Sequence, residues 1–209
     1  MENVLVGVTA RVFRGALHPT ELATRLVREI DLNLRSSDIG PVAANAVSIR
    51  ISAFDMGETT PPSELEEELN TLLEAASLER GWRLEGPADV AVLIDRRLGP
   101  GVVAYELHER PGVRTSWGRL RSSSGNHEIR VNRAVVGRGS NCDIVIDDST
   151  VSRRHALIWH EADRIHLQDL GSANGTTVDG TVISSTTLEN GSMVQFGAVR
   201  FRLEVIVDA

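Results

Sequence analysis

The chain has 209 residues, a net charge of −7, 41% apolar and 24% charged residues. That length accommodates one large domain or two small ones, and the composition is ordinary for a globular protein. The acidic balance argues against a general nucleic-acid surface, which needs clustered cations. No apolar run approaches the roughly 18 residues of a membrane helix, and no secretory leader pattern is read at the start. One cysteine, Cys142, can neither close a disulfide within the chain nor build a zinc site alone. A reducing cytoplasm is the expected location, without direct membrane insertion.

All 22 basic residues are arginine. The charge is uneven: the balance is −6 through Arg114 and −1 from Thr115 onward.

Residues His18 to Leu34 place Leu22, Leu26, Ile30 and Leu34 four apart, which predicts one apolar helical face. The stretch Ser63 to Arg80 predicts a second helix. Ser63 is its expected N-cap, with Glu66 at capping-box spacing, and Gly81 is its expected stop. "NAVSIRISAF" between the helices, then Ala88–Asp95 and Gly101–Glu109, read as strands. "GETTPPSE" is read as a linker into the second helix. Thr59 and Thr60 within it are candidate kinase targets that could fold back onto the chain's own binding site.

After "RPGVRTS" the period changes to two. Candidate strands are Trp117–Arg121, His127–Val131, Ala134–Val136, Ile144–Ile146, His155–His160, Arg164–Asp169, Thr176–Val178, Met193–Phe196 and Val199–Val207. Short strands at regular spacing predict a sandwich or barrel. The expected architecture is a small α+β domain at 1–110, a linker at 111–116 and an all-β sandwich at 117–209. Trp82, Trp117 and Trp159 are read as half-buried packing residues, and Arg154 as solvated.

Loops between the later strands carry the chemistry. Gly137-Arg138 follow one strand, "STVSRRH" joins two, and "DLGSANGTTVDG" joins two more. Alternate loops of a sandwich gather at one end, so Arg138, Ser152, Arg153 and Asn174 are expected to share a cationic, donor-rich surface. Such a surface suits a phosphate monoester, which carries about −1.5 to −2 charge and three acceptor oxygens. Guanidinium forks, a hydroxyl and an amide supply the matching donors. Asn174-Gly175 is also a hairpin signal.

"GRGSNCDIVIDD", "VSRRHALI" and "DLGSANGTTVDG" closely resemble the forkhead-associated (FHA) domain over Thr115 to Ala209. The resemblance implies an 11-stranded sandwich that binds phosphothreonine peptides without catalysis or cofactor. It places Arg138 and Ser152 on the phosphate, Arg153 on peptide or phosphate, and Asn174 on the peptide backbone. Gly137, His155 and Gly175 are then structural supports of the site. Ala173 stands where some members carry a phosphate-contacting threonine. "FRGALHPTELATRLVREID", "NAVSIRIS" and "ERGWRLEGPADVAV" resemble the N-terminal domain of actinobacterial FHA proteins linked to serine/threonine-kinase signalling and cell-wall synthesis.

That resemblance implies phosphothreonine-containing partners, among them kinases or membrane-bound cell-wall proteins that recruit the chain to the membrane. A phosphate-independent scaffold acting through the first domain is the alternative, with Ala173 as its hint. An enzyme built on Ser152 and His155 is disfavoured, because nothing around them resembles a nucleophile elbow. Nucleic-acid binding by the first domain is disfavoured by its charge.

Overall fold

The structure, a computed structural model, describes residues 19–55, 62–123 and 125–206; Thr59 and Thr60 lie outside them. The chain divides into two compact units. Among the described residues, one comprises 19–36, 41–55, 62–77 and 84–112; the other comprises 37–40, 78–83, 113–123 and 125–206.

The first unit follows from its apolar spacing. Helix α1 (Pro19–Leu32) buries Leu22, Leu26 and Ile30. It stops short of Leu34 because the Asn33 side chain turns back onto the Glu29 carbonyl at 2.8 Å, occupying the acceptor that a further turn would use. A short hairpin follows, β1 (Arg35–Ser37) and β2 (Gly40–Val42), and then β3 (Ala46–Ile51). Helix α2 (Pro62–Glu79) buries Leu65, Leu69, Leu72, Leu73 and Ala76, and Gly81 just beyond it takes a positive φ of 64°. The chain returns as β4 (Asp89–Ile94), parallel to β3, and β5 (Val103–His108), antiparallel to β3, giving the sheet order β4-β3-β5.

The expected capping box does not form. The helix starts at Pro62, leaving Ser63 inside the first turn. Glu66 instead accepts the Val92 amide at 2.7 Å, while Asn70 accepts Val90 and Glu74 accepts Ala88 at the same distance. Three side chains four residues apart therefore satisfy amides along the free edge of β4, a tertiary use that outweighs local capping.

The second unit is a sandwich. Its strands are β6 (Gly118–Ser122), β7 (Gly125–Ile129), β8 (Ala134–Gly137), β9 (Ile144–Val145), β10 (Ala156–Glu161), β11 (Arg164–Asp169), β12 (Thr176–Val178), β13 (Thr181–Ile183), β14 (Ser185–Leu188), β15 (Met193–Phe196) and β16 (Val199–Val205). They form a five-stranded sheet, β14-β11-β10-β8-β9, and a six-stranded sheet, β13-β12-β15-β16-β6-β7. Alternate residues point inward, and Leu120, Val136, Ile158, Leu167, Phe196 and Phe201 fill the shared core. Each such side chain contributes about 1.5–3 kcal/mol on burial.

Strands β13 and β14 were absent from the periodicity reading, since "TVISSTTL" is too polar to show alternation. A smaller cluster, Val135, Cys142 and Leu157, is covered by Ile39, Trp159 and Leu170. Arg83 forms a two-pronged ion pair with Asp143, both contacts at 2.9 Å. Trp82 is 2% exposed, so it is a fully buried residue rather than a half-buried one.

Candidate functional site

All four residues of β8 are buried, and the strand delivers Arg138 to the surface as soon as it ends. Gly137 makes this possible. A Cβ there would lie 2.4 Å from the Arg153 carbonyl oxygen, and one at Gly139 would lie 2.8 Å from it. Bare backbone at these two positions lets the loop after β8 lie flat against the loop before β10. The Arg138 amide donates to the Ser152 carbonyl and the Gly139 amide to the Arg153 carbonyl, each at 3.0 Å. The Cys142 thiol also donates to the Arg153 carbonyl at 3.0 Å.

His155 ties this pair of loops to a third. It is wholly buried, with Nδ1 accepting the Ser152 amide at 3.0 Å and Nε2 3.1 Å from the Gly175 carbonyl. That pattern assigns the proton to Nε2 and keeps the ring neutral. Burial pushes its pKa below the usual histidine range, against the opposing pull of the Gly175 carbonyl and of Asp169, whose Oδ2 is 3.9 Å away.

The third loop is shaped by Asp169. Its carboxylate accepts the amides of Gly171 and Ser172 and the hydroxyls of Ser172 and Thr176. Burial would raise its pKa, but the hydrogen bonds from Ser172 and Thr176 outweigh that and hold it below the usual carboxylate range. The loop then meets its neighbours: the Ala173 amide donates to Ser152 Oγ at 3.0 Å, and Asn174 Nδ2 donates to the Thr150 carbonyl at 2.8 Å. Gly175 has a φ of 76°, which suits glycine. Thr150 is itself held by Asp148, and its hydroxyl accepts the Ala198 amide from the β15–β16 turn.

Arg138, Ser152, Arg153 and Asn174 thus sit on three mutually bonded loops, with Gly137, His155 and Gly175 beneath them. The unspent capacity is distinctive. Among the described residues, the exposed guanidiniums of Arg138 and Arg153 have no hydrogen-bond or ion-pair partner. Ser152 Oγ accepts one bond and keeps its proton free to donate; Asn174 keeps one amide hydrogen and its oxygen.

Arg154 is exposed, as read, and pairs at the surface with Asp38 at 2.5 Å, which holds that carboxyl below its ordinary range. The supporting roles of Asp169, Thr150 and Gly139 were missed, because an aspartate before a glycine-serine turn is common wherever chains turn. No group of three or more His, Cys, Asp or Glu suited to a metal ion occurs among the described residues.

A sandwich with these three loops defines the class: residues 134–197 match the FHA domain. Residues 1–106 match "FhaA, N-terminal domain", and the chain belongs to that family. It is 45% identical over 69 residues to the oxoglutarate dehydrogenase inhibitor of Corynebacterium jeikeium, covering 33% of this chain and 46% of that protein. It is 46% identical over 68 residues to the glycogen accumulation regulator GarA of Mycobacterium tuberculosis, covering 32% and 41% respectively. The match to these two curated relatives therefore spans less than half of their length. A solved FHA domain of FhaA, complexed with the intracellular domain of Rv3910, is 30% identical and covers 42% of this chain and 97% of its own, with a TM-score of 0.39.

Proposed function

We propose that this chain is a non-catalytic adaptor that binds phosphothreonine in protein partners of serine/threonine-kinase signalling. The reading rests on one observation: the guanidiniums of Arg138 and Arg153, unpaired among the described residues, and the free hydroxyl proton of Ser152 lie on loops locked together by backbone bonds. The bonded loop backbone needs no reorganisation to meet a dianion, so the ordering cost is confined to the exposed side chains, about 0.5–1.5 kcal/mol each.

In this reading Arg138 and Ser152 hold the phosphate, Arg153 the phosphate or the peptide, and Asn174 the peptide backbone through its remaining amide hydrogen and oxygen. Charge-assisted hydrogen bonds contribute about 1.5–3 kcal/mol each. Two or three of them supply much of a micromolar complex, near −8 kcal/mol. Kinases and membrane-bound cell-wall proteins are the partner classes we favour, with the adaptor in the cytoplasm and brought to the membrane by them. Cys142 as a buried free thiol fits a reducing compartment.

The test is fluorescence anisotropy of a labelled phosphothreonine peptide with the full chain. Arg138→Ala is expected to weaken binding at least ~10-fold with an unchanged melting temperature. Equal affinity of variant and parent, or equal binding of the unphosphorylated peptide, would refute the phosphothreonine reading.

A further inference from the structure

The outer face of the six-stranded sheet carries a second feature that the loop site does not use. Strand β16 alternates Arg200, Phe201, Arg202, Leu203, Glu204, with Phe201 and Leu203 buried, so Arg200, Arg202 and Glu204 point outward. On β6, Arg121 is paired directly across from Arg202, and Arg119 across from Glu204. The charges on this face are not balanced evenly. Arg119 pairs with Glu128 at 2.6 Å and with Glu204 at 3.6 Å, and Arg121 pairs with Glu204 at 3.1 Å.

Arg200 bonds the neutral Gln195 side chain at 2.6 Å, while Arg202 has no hydrogen-bond or ion-pair partner among the described residues. Asp179, at the border of the face, is engaged by the Met193 amide at 2.9 Å. An acidic protein therefore keeps two uncompensated guanidiniums side by side, and one of them faces a like charge across the strands. Directly opposed like charges destabilise a sheet.

The patch is also shaped. Thr177, Gln195 and Arg200 are aligned across β12, β15 and β16. With Asp179, Gly180, Met193 and Val194 they line a depression of about 340 Å³. Beside it, Val182 is 75% exposed on the edge strand. The row is continuous with the loop site, since the Gly197 amide at the β15–β16 turn donates to the Gly175 carbonyl at 3.2 Å. At about 3.3 Å per residue, Arg200 and Arg202 lie roughly 10 and 17 Å along the strand from that turn. A peptide anchored at the loops reaches them within about five extended residues.

We infer that this sheet face is a second docking surface, taking an acidic segment of the same phosphorylated partner; the inference rests on the phosphothreonine reading. Charge complementarity selects the occupant. Long polyanions meet the repulsion of the whole −7 chain, whereas a short acidic segment is held beside Arg200 and Arg202 at high effective concentration by its own phosphothreonine. The apolar Met193 and Val182 flank the charges and suit a segment that interleaves acids with an aliphatic residue.

The experiment uses the full chain and the double variant R200E/R202E, with three probes: a phosphothreonine peptide, the same peptide extended by an acidic tail, and the tail alone. The tail is expected to raise affinity about 5- to 10-fold at low salt. The variant is expected to lose that gain, bind the short phosphopeptide unchanged, and melt no lower than the parent because an opposed arginine pair has been relieved. No gain from the tail, or a gain that survives in the variant, overturns the inference.

Should neither phosphopeptide bind, the phosphothreonine reading fails by itself. Millimolar binding of the tail alone, present in the parent and absent in the variant, would then still support the sheet face, and its absence would refute it.

Discussion

The two units differ in where they leave exposed polar side chains unspent. In the first, several groups that approach the sheet are spent on backbone, although the buried Tyr105 hydroxyl has no hydrogen-bond partner among the described residues. Glu66, Asn70 and Glu74 close the edge of β4, Asn45 serves Pro87 and Arg110, and Asp55 takes the Gly101 amide. At the loop end of the sandwich, His155, Asp169 and Thr150 are spent in the same manner, but Arg138, Arg153 and the Ser152 proton are not. A polar group whose bonds are complete holds the fold together. One that is rigidly placed and left incomplete is available for a ligand.

The contrast is broken or sharpened most strongly by a pair of substitutions. Asn70→Ala strands the Val90 amide at the edge of β4. It is expected to cost about 1–3 kcal/mol, read as a lower melting temperature, while phosphopeptide affinity holds. Arg138→Ala is expected to do the reverse. A shared loss of both properties in either variant would erase the distinction between spent and unspent groups.

A smaller effect should follow pH. His155 is held below the ordinary histidine range in the folded chain, so the unfolded chain binds the proton first as pH falls. Stability is then full above about pH 6.5 and declines below it. His160, also lowered by burial, acts in the same direction. Thermal melts of the peptide-free chain from pH 7.5 to pH 5 should show the decline, and His155→Gln should reduce its slope. A flat profile in the parent would mean that the buried ring titrates normally.

Legibility followed the same division. The spacing of Leu22, Leu26 and Ile30 announces α1, because burial on one helical face leaves a periodic trace. That the loops carrying Arg138, Ser152 and Asn174 meet was legible from the strand period, because alternate loops of a sandwich gather at one end. The capping box was misread because Glu66 is claimed by a strand 26 residues away, a pairing that no local pattern encodes. Strands β13 and β14 escaped because edge strands keep polar side chains on much of their surface. Trp82 was read as half-buried because it stands beside charged residues, whereas it is fully buried. Asp169 was invisible as a site component, since three of its bonds go to the turn that directly follows it.

The central claim is that the loops carrying Arg138, Ser152 and Asn174 act as one receptor for a phosphate ester. The most direct measurement is two-dimensional NMR of the isotope-labelled chain titrated with a phosphothreonine peptide. The account predicts concerted shifts at the amides of Arg138, Gly139, Ser152, Arg153, Ala173 and Gly175, with α1, α2 and β3–β5 unmoved. Shifts centred on the first unit, or identical shifts with the unphosphorylated peptide, would contradict it.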